Sequence, residues 1–514
     1  MKLRNVFWKI FSALLLCASF LIPQSAPAVL PPKAFDTPSN ERIVQTQTQQ
    51  AIEIEIETLD SDQGSSGAFL SLSKTVYADY NYNMLALEKN ASGMQRLYAD
   101  IDALAEHYEN GGGNVSASNP FTSDSGIKYY ELSGGTFSGA DYGLGVDEMA
   151  TVYAMYRADR PEMFFLPGTY LFSQNQNKLY IVTTEHFLLE SERIRLRDIA
   201  ISKANAFVSS IPKNATDYEI AILAHDSLAD DTFYRYDSDK TPSTHPFAHS
   251  ITGWIDSSGV VCEGYARAYQ YLLSFCNVEC IYVVGHSGNT AHAWNAVKCD
   301  GEWFWVDTTY DDQASLPSGR YHYYFGLPNS VFLEDHTPGD QTHGLSYQPP
   351  VPEISNDYSN FYYYKTGAFA DVSDSQVING ALVKSAQRAF DNKTYCAAVY
   401  VENTKSKSAA SVLFGTSSNI TSAIKDAGLS LRCSSTYRSL TVSSTDTGNG
   451  GCLFLIVFEL HPYDVDQNTF VESADATLIL NALCHNIAAP DRADIDGDGK
   501  ITVYDAVLVF KTIQ

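Results

Sequence analysis

Between the alternating runs "AHAWNAV" and "EWFWVDTTY" stands Cys299-Asp300-Gly301-Glu302. Asp-Gly in that setting predicts a β-hairpin closed by two residues. Such a turn fixes the register, setting Trp294 opposite Asp307 and His292 opposite Thr309. Those four side chains then share one sheet face, and His292 and Asp307 become diagonal neighbours ~7–8 Å apart between backbones, a gap that an imidazole and a carboxylate bridge. A three-residue turn would reverse the parity and separate them.

Upstream, "SSGVVCEGYARAYQYLLSF" passes from loop to helix at Cys262, with Ala266, Tyr269, Leu273 and Cys276 on one helical stripe. The unpaired N–H groups and partial positive charge of a helix start favour a thiolate by roughly 0.3–1 kcal/mol. That is too little to ionise a free thiol, of ordinary pKa ~8.5, at neutral pH. A reactive Cys262 therefore needs an imidazole, and His292 is the best candidate. Taken singly, each has a structural reading, a buried thiol and a histidine packed on an aromatic. Tyr236 and His249, in the loop upstream, are further candidates for the site. Cys276 and Cys280, spaced C-x3-C, lack the second pair that a zinc site requires.

A chain of 514 residues is too long for one core and predicts three or four units. The first 28 residues combine Lys2, Arg4 and Lys9 with the apolar run 10–22 and the exit Ala26-Pro27-Ala28, the order of a cleaved secretory signal. Leu16 before Cys17 argues against a lipid anchor. Cleavage would remove three positive and no negative charges, taking the net charge from −26 to −29. Such a surface repels phosphate backbones and anionic membranes, so nucleic acid is excluded as a partner class. No later apolar run approaches the ~20 residues of a membrane span. Nine scattered cysteines are too few for a disulfide scaffold, so apolar burial must supply the folding energy.

The remaining boundaries follow composition. Residues 29–70 read as a linker with one strand-like segment, "IEIEIE". A mixed α+β unit follows at 71–195, with a helix carrying Leu97, Ile101, Leu104 and Tyr108 and ended by "NGGGN", a helix in "VDEMATVYAMYRADRPEMFF" and a strand in "KLYIVTTEHFLL". The Cys262 unit spans 196–350 and opens with Thr216 and Glu219 at capping-box spacing. A small α+β accessory unit at 351–460 reads as helix 374–390, strand 394–402, helix 417–427 and further strands.

The last unit, 461–514, holds two copies of one loop. In "ADIDGDGKITVYDA" Asp494, Asp496, Asp498, Lys500, Thr502 and Asp505 stand at positions 1, 3, 5, 7, 9 and 12, with Gly499 at 6. Calcium takes six to eight oxygens, and this period turns alternate side chains and the Lys500 carbonyl inward. In "DVDQNTFVESAD" the same positions are Asp464, Asp466, Asn468, Phe470, Glu472 and Asp475. Thr469 replaces the glycine there, and a Cβ in a left-handed conformation costs ~1–2 kcal/mol, so this loop is expected to bind more weakly. Each loop precedes an apolar helix.

Two resemblances join these observations. "GVVCEGYARAYQYLL", "AHAWNAV" and "WFWVDTTYDD", with "LEDHTPGD" after them, resemble the blocks of the transglutaminase-like superfamily over roughly 215–340. The resemblance implies a papain-like core with Cys262 as nucleophile, His292 as general base and then acid, and Asp307 orienting the imidazole. The backbone N–H of Cys262 is an oxyanion donor by the same logic, and the sequence offers no evident second one. The tail resembles a type I dockerin. That implies structural calcium, a cohesin module of a bacterial cellulosome scaffoldin as partner, and Ser473-Ala474 and Val503-Tyr504 at the recognition positions. The expected architecture is α+β: a papain-like transglutaminase core with a mixed N-terminal domain, a small α+β domain and an all-α calcium-binding dockerin. The expected activity is that of an exported, cellulosome-associated cysteine enzyme hydrolysing peptide or isopeptide amides without a catalytic cofactor. Acyl transfer to lysine is one alternative, and non-catalytic recognition of peptide by a scaffold component is another.

Overall fold

A computed structural model describes residues 80–514 apart from 124–125, 313–320, 340–350, 392–393, 427–436, 448–450, 467–470, 486, 491, 498 and 514, together with the strand segments Phe35–Asp36 and Arg42–Thr46. The expected signal, 1–28, and "IEIEIE" lie outside the described residues. Arg42–Thr46, within the expected linker, pairs antiparallel with Thr169–Ser173.

The N-terminal unit is a six-stranded sheet flanked by helices. The stripe Leu97, Ile101, Tyr108 lies buried on helix Ala91–Glu109, which ends at Asn110 ahead of the three glycines. Helix Val146–Asp159 stops earlier than its apolar pattern, because Arg160 precedes Pro161 and takes a non-helical conformation, φ −120° and ψ 69°. The run expected as one strand divides into strand Lys178–Thr184 and a single turn at Glu185–Phe187.

The Cys262 unit is a four-stranded antiparallel sheet in the order His336–Pro338, Glu279–Ser287, Thr290–Cys299, Glu302–Val306. Helix Cys262–Ser274 packs on its central strands, and helix Asp217–Asp231, opened by the Thr216–Glu219 capping box, packs against that helix. Asp300 and Gly301 both take positive φ, 55° and 86°, as a type I′ turn demands. The ladder keeps the register that this turn dictates, Cys299 opposite Glu302 through Asn295 opposite Val306. It stops one pair short of Trp294 and Asp307, because Asp307 leaves the strand to cap the short helix Thr308–Asp311.

The accessory unit adds a second four-stranded sheet, with strand Cys396–Val401 parallel to Phe369–Ala370 and antiparallel to Cys452–Leu460. Helices Ser375–Asp391 and Ser417–Asp426 stand where the pattern placed them, and a further helix, Thr404–Phe414, is capped by the Asn403 side chain. Along Cys396–Val401 every residue is buried, and the side chains alternate between two cores. Ala397, Val399 and Val401 face the unit's own helices, while Cys396, Ala398 and Tyr400 close the core of the Cys262 unit. That same core runs without a break from Tyr80 through Leu97, Tyr153, Tyr269 and Trp305 to Phe361. The tail has a small core of its own around Val465, Ile479 and Val509.

A Cβ on Gly301 would meet open space, so Gly301→Ala tests the turn conformation alone. It is expected to cost about 1–2 kcal/mol in denaturant unfolding with an unchanged slope. A neutral result would mean that the turn does not hold the register.

Candidate functional site

Cys262 is the first residue of its helix and is partly buried, and the N-cap Val261 offers no side-chain cap to the first turn. His292 is buried on the facing strand. Its Nε2 donates to Asp307 Oδ2 at 2.6 Å, and the Cys262 thiol lies near enough to the ring to favour its charged form. Tyr310 stacks on the imidazole at 4.5 Å between ring centroids, and Trp294 tilts against it at 5.9 Å. Cys262, His292 and Asp307 thus meet, from a helix start, a mid-strand position and a strand end.

Asp307 is fully buried and its oxygens are all engaged. Oδ1 accepts from the Tyr310 N–H at 3.1 Å, and Oδ2 accepts from both His292 and, at 3.1 Å, Nε2 of His336. Nδ1 of His336 lies 2.6 Å from Asp335 Oδ1, so a carboxylate on either side fixes this second imidazole. Burial pushes the Asp307 carboxyl up, but His292 and then His336 outweigh it and hold the group well below the usual carboxylate range. Burial disfavours an imidazolium at His292, yet Asp307 and the Cys262 thiol hold its pKa well above the ordinary value.

Glu263, next to the thiol, is the hub of a second ionic group. His249 Nδ1 lies 3.1 Å from its Oε2, and Arg157 and Arg267 donate to Oε1 at 3.2 and 3.1 Å. Against the cost of burial, these partners hold the Glu263 carboxyl well below its ordinary range. His249 therefore braces the residue after the thiol, and Nε2 ties it to the Ser243 carbonyl at 2.9 Å. Tyr236 is largely exposed, with its ring 4.9 Å from that of Tyr234. Tyr234 is brought beside Cys262 by its bridge to Val260, and burial followed by the thiol raises its hydroxyl pKa. Tyr234, Tyr310 and His336 carry no spacing signal of their own; only the fold brings them here. Cys276 and Cys280 join no convergent donor cluster among the described residues.

In the tail, oxygens of Asp494, Asp496 and Asp505 lie within 4.8 Å of one another, as do those of Asp464, Asp466 and Asp475. That spread suits an ion with bonds of about 2.3–2.6 Å. Gly499 takes the left-handed conformation expected of position 6, φ 82°. Asp505 also forms a capping box with Thr502 at the start of helix Val503–Thr512, and its Oδ1 accepts from the Ile495 N–H at 2.8 Å. Asp475 spans its loop in the same way, accepting from Val465 at 2.6 Å and Glu472 at 2.8 Å. Lys500 and Thr502 lie on the second loop, while Asp498, Asn468 and Phe470 lie outside the described residues.

A family model for the type I dockerin domain matches residues 462–514. The tail is a type I dockerin domain. Dockerins of this type bind calcium, and they imply docking to a cohesin of a scaffoldin in a cellulosome-type, extracellular assembly. The chain is also similar to Kyphoscoliosis peptidase of Mus musculus, 30% identical over 123 residues, 20% of this chain and 18% of that protein. To Kyphoscoliosis peptidase of Homo sapiens it is 30% identical over 142 residues, 23% of this chain and 22% of that protein. The chain thus spans about a fifth of the length of the relatives it matches. No helix among the described residues is long and apolar enough to cross a membrane.

Two outcomes are expected. Glu263→Gln leaves Arg157 and Arg267 short of their counter-charge, and is expected to lower stability at neutral pH by about 3–5 kcal/mol in denaturant titrations. A carboxylate with a depressed folded pKa binds fewer protons folded than unfolded. Its contribution is full above the unfolded value of ~4.3 and is lost as pH falls through the folded one, so the gap between variant and parent should shrink on acidification below about pH 4. Separately, calcium chelation is expected to abolish retention of the full chain on a cohesin column, and excess calcium to restore it.

Proposed function

We propose that the chain is an exported, cellulosome-borne cysteine enzyme of the transglutaminase-like kind, which opens peptide or isopeptide amide bonds through a thioester. The observation that carries the reading is His292 hydrogen-bonded to a buried carboxylate and close to the thiol at a helix start. In this reading the Cys262 thiolate attacks the amide carbon, and the N–H of Cys262, in a first turn without a side-chain cap, faces the developing oxyanion. The His292 imidazolium gives its proton to the leaving amine. Neutral His292 then takes a proton from water, whose oxygen opens the thioester and releases the acid and the thiolate. Asp307 holds the tautomer with Nε2–H. Similarity to proteins named as peptidases supports this class of bond. The leader-like first 28 residues support export.

Hydrolysis is the first assignment because, in water, a thioester without a dedicated amine site is hydrolysed. The test is incubation with a glutamine-containing peptide and a primary amine, followed by mass spectrometry. Cleaved or deamidated peptide is expected; an amide-linked amine adduct as main product would assign acyl transfer instead. Cys262→Ala is expected to reduce turnover by about 10³-fold or more. Labelling of Cys262 by a mild electrophile near pH 6 is expected to be fast in the parent and slow in His292→Asn. Equal labelling in both would remove the imidazole from the activation of the thiol.

A further inference from the structure

A second His–Asp–His cluster lies apart from the thiol. His225 and Asp226, neighbours on helix Asp217–Asp231, meet His322 from a segment 96 residues beyond Asp226. Nδ1 of His225 lies 3.0 Å from Asp226 Oδ1, and Nε2 of His322 lies 2.7 Å from the same oxygen. One ligand atom from each of the three residues lies within 4.8 Å of the other two. The outer side of His225 faces another carboxylate: Nε2 is 3.3 Å from Asp311 Oδ2, both atoms buried and not aligned for a hydrogen bond. The His322 ring is clamped flat on Tyr362, with centroids 3.8 Å apart and planes 11° apart, and His225 stands edge-on to Phe325.

We propose that His225 Nδ1, Asp226 Oδ1 and His322 Nε2 bind a divalent transition ion of the zinc class. Two imidazole nitrogens and one carboxylate oxygen form a donor set suited to zinc, cobalt or nickel and poorly suited to calcium. Tetrahedral bonds of ~2.0–2.1 Å place ligand atoms ~3.3 Å apart, so the present 2.7 and 3.0 Å separations need to open by only a few tenths of an ångström. The charge also fits, since Asp226 and Asp311 together bring two negative charges that a divalent cation balances beside neutral imidazoles. Asp311 stands where an outer carboxylate holds a ligating histidine in one tautomer, and a small turn of the His225 ring brings its Nε2–H into line. An opening remains for water or ion entry, because the Asp226 side chain is 26% exposed. The similar trio of His292, Asp307 and His336 is buried throughout, and its histidine serves the thiol. An ion at His225 would staple helix Asp217–Asp231 to the Tyr321–Phe325 segment, whose Tyr324 N–H donates to Asp311 at 2.9 Å. Asp311 closes the short helix that Asp307 caps, so the staple reaches the thiol site through that one turn.

The experiment uses the full chain carrying Cys262→Ala, so that the thiol binds nothing, with calcium kept saturating so that the dockerin loops stay filled. After removal of transition metals, Co²⁺ is titrated and bound metal is counted by elemental analysis after desalting. One equivalent is expected with a visible ligand-field absorption, and Zn²⁺ is expected to raise the thermal midpoint by several degrees. Adding His322→Gln or Asp226→Asn is expected to abolish both effects while far-UV circular dichroism and cohesin retention stay unchanged. Equal binding in the parent and the folded variants, or no binding in the parent, overturns the proposal. Should both variants fail to fold, anomalous scattering at the zinc edge from crystals of the parent decides it. Density between the three atoms sustains the site, and its absence there refutes it.

Discussion

The buried carboxylate of Asp307 is the constraint on which the Cys262 unit turns. One oxygen caps the helix Thr308–Asp311 and the other receives two imidazoles, so the end of a strand, the start of a helix and two histidines are fixed by a single group. A charge so placed is costly without partners, and each partner is in turn held in one orientation. The hairpin supplies the strand register that brings Asp307 to His292, and the start of the Cys262 helix brings the thiol near the same ring. Strand end, helix start and the proposed thiol site therefore share one electrostatic centre.

Much of this was legible in the sequence because its causes are local. A type I′ turn at Asp300-Gly301 determines parity for the whole hairpin, and alternating apolar residues determine which face is buried. The capping box at Thr216 and the acidic loop at 494–505 are likewise contained within a dozen residues, so their physical reasons are visible in the string. The strand end at Val306 was not visible, since whether Asp307 stays in the ladder or caps a helix depends on what packs beyond it. His336, Tyr234 and Tyr310 reach the imidazole or the thiol through long-range contacts that leave no periodic trace. The helix Thr404–Phe414 was missed for another reason. Its exposed face is rich in serine and lysine, and only Asn403 marks its beginning.

Domain boundaries were the least legible feature, because composition reports where polar residues collect and not where cores join. The apolar core crosses from the N-terminal sheet into the Cys262 unit, and the accessory sheet lends one face of strand Cys396–Val401 to it. Units distinct in sequence pattern thus share an interior. The dockerin stands apart, with a core of its own around two loop–helix repeats.

The shared interior has a consequence for any attempt to transplant the thiol site. Arg157, which neutralises Glu263, and the carbonyls of Arg157 and Ala158, which receive Arg267 and Gln270, all come from a helix of the N-terminal unit. A fragment cut at the start of the Cys262 unit would strip Glu263, next to the sulfur, of Arg157, and would leave Arg267 and Gln270, farther along the same helix, without their carbonyl partners. The smallest portable form of this site therefore begins well before its first recognisable motif, whereas the dockerin encloses a core of its own.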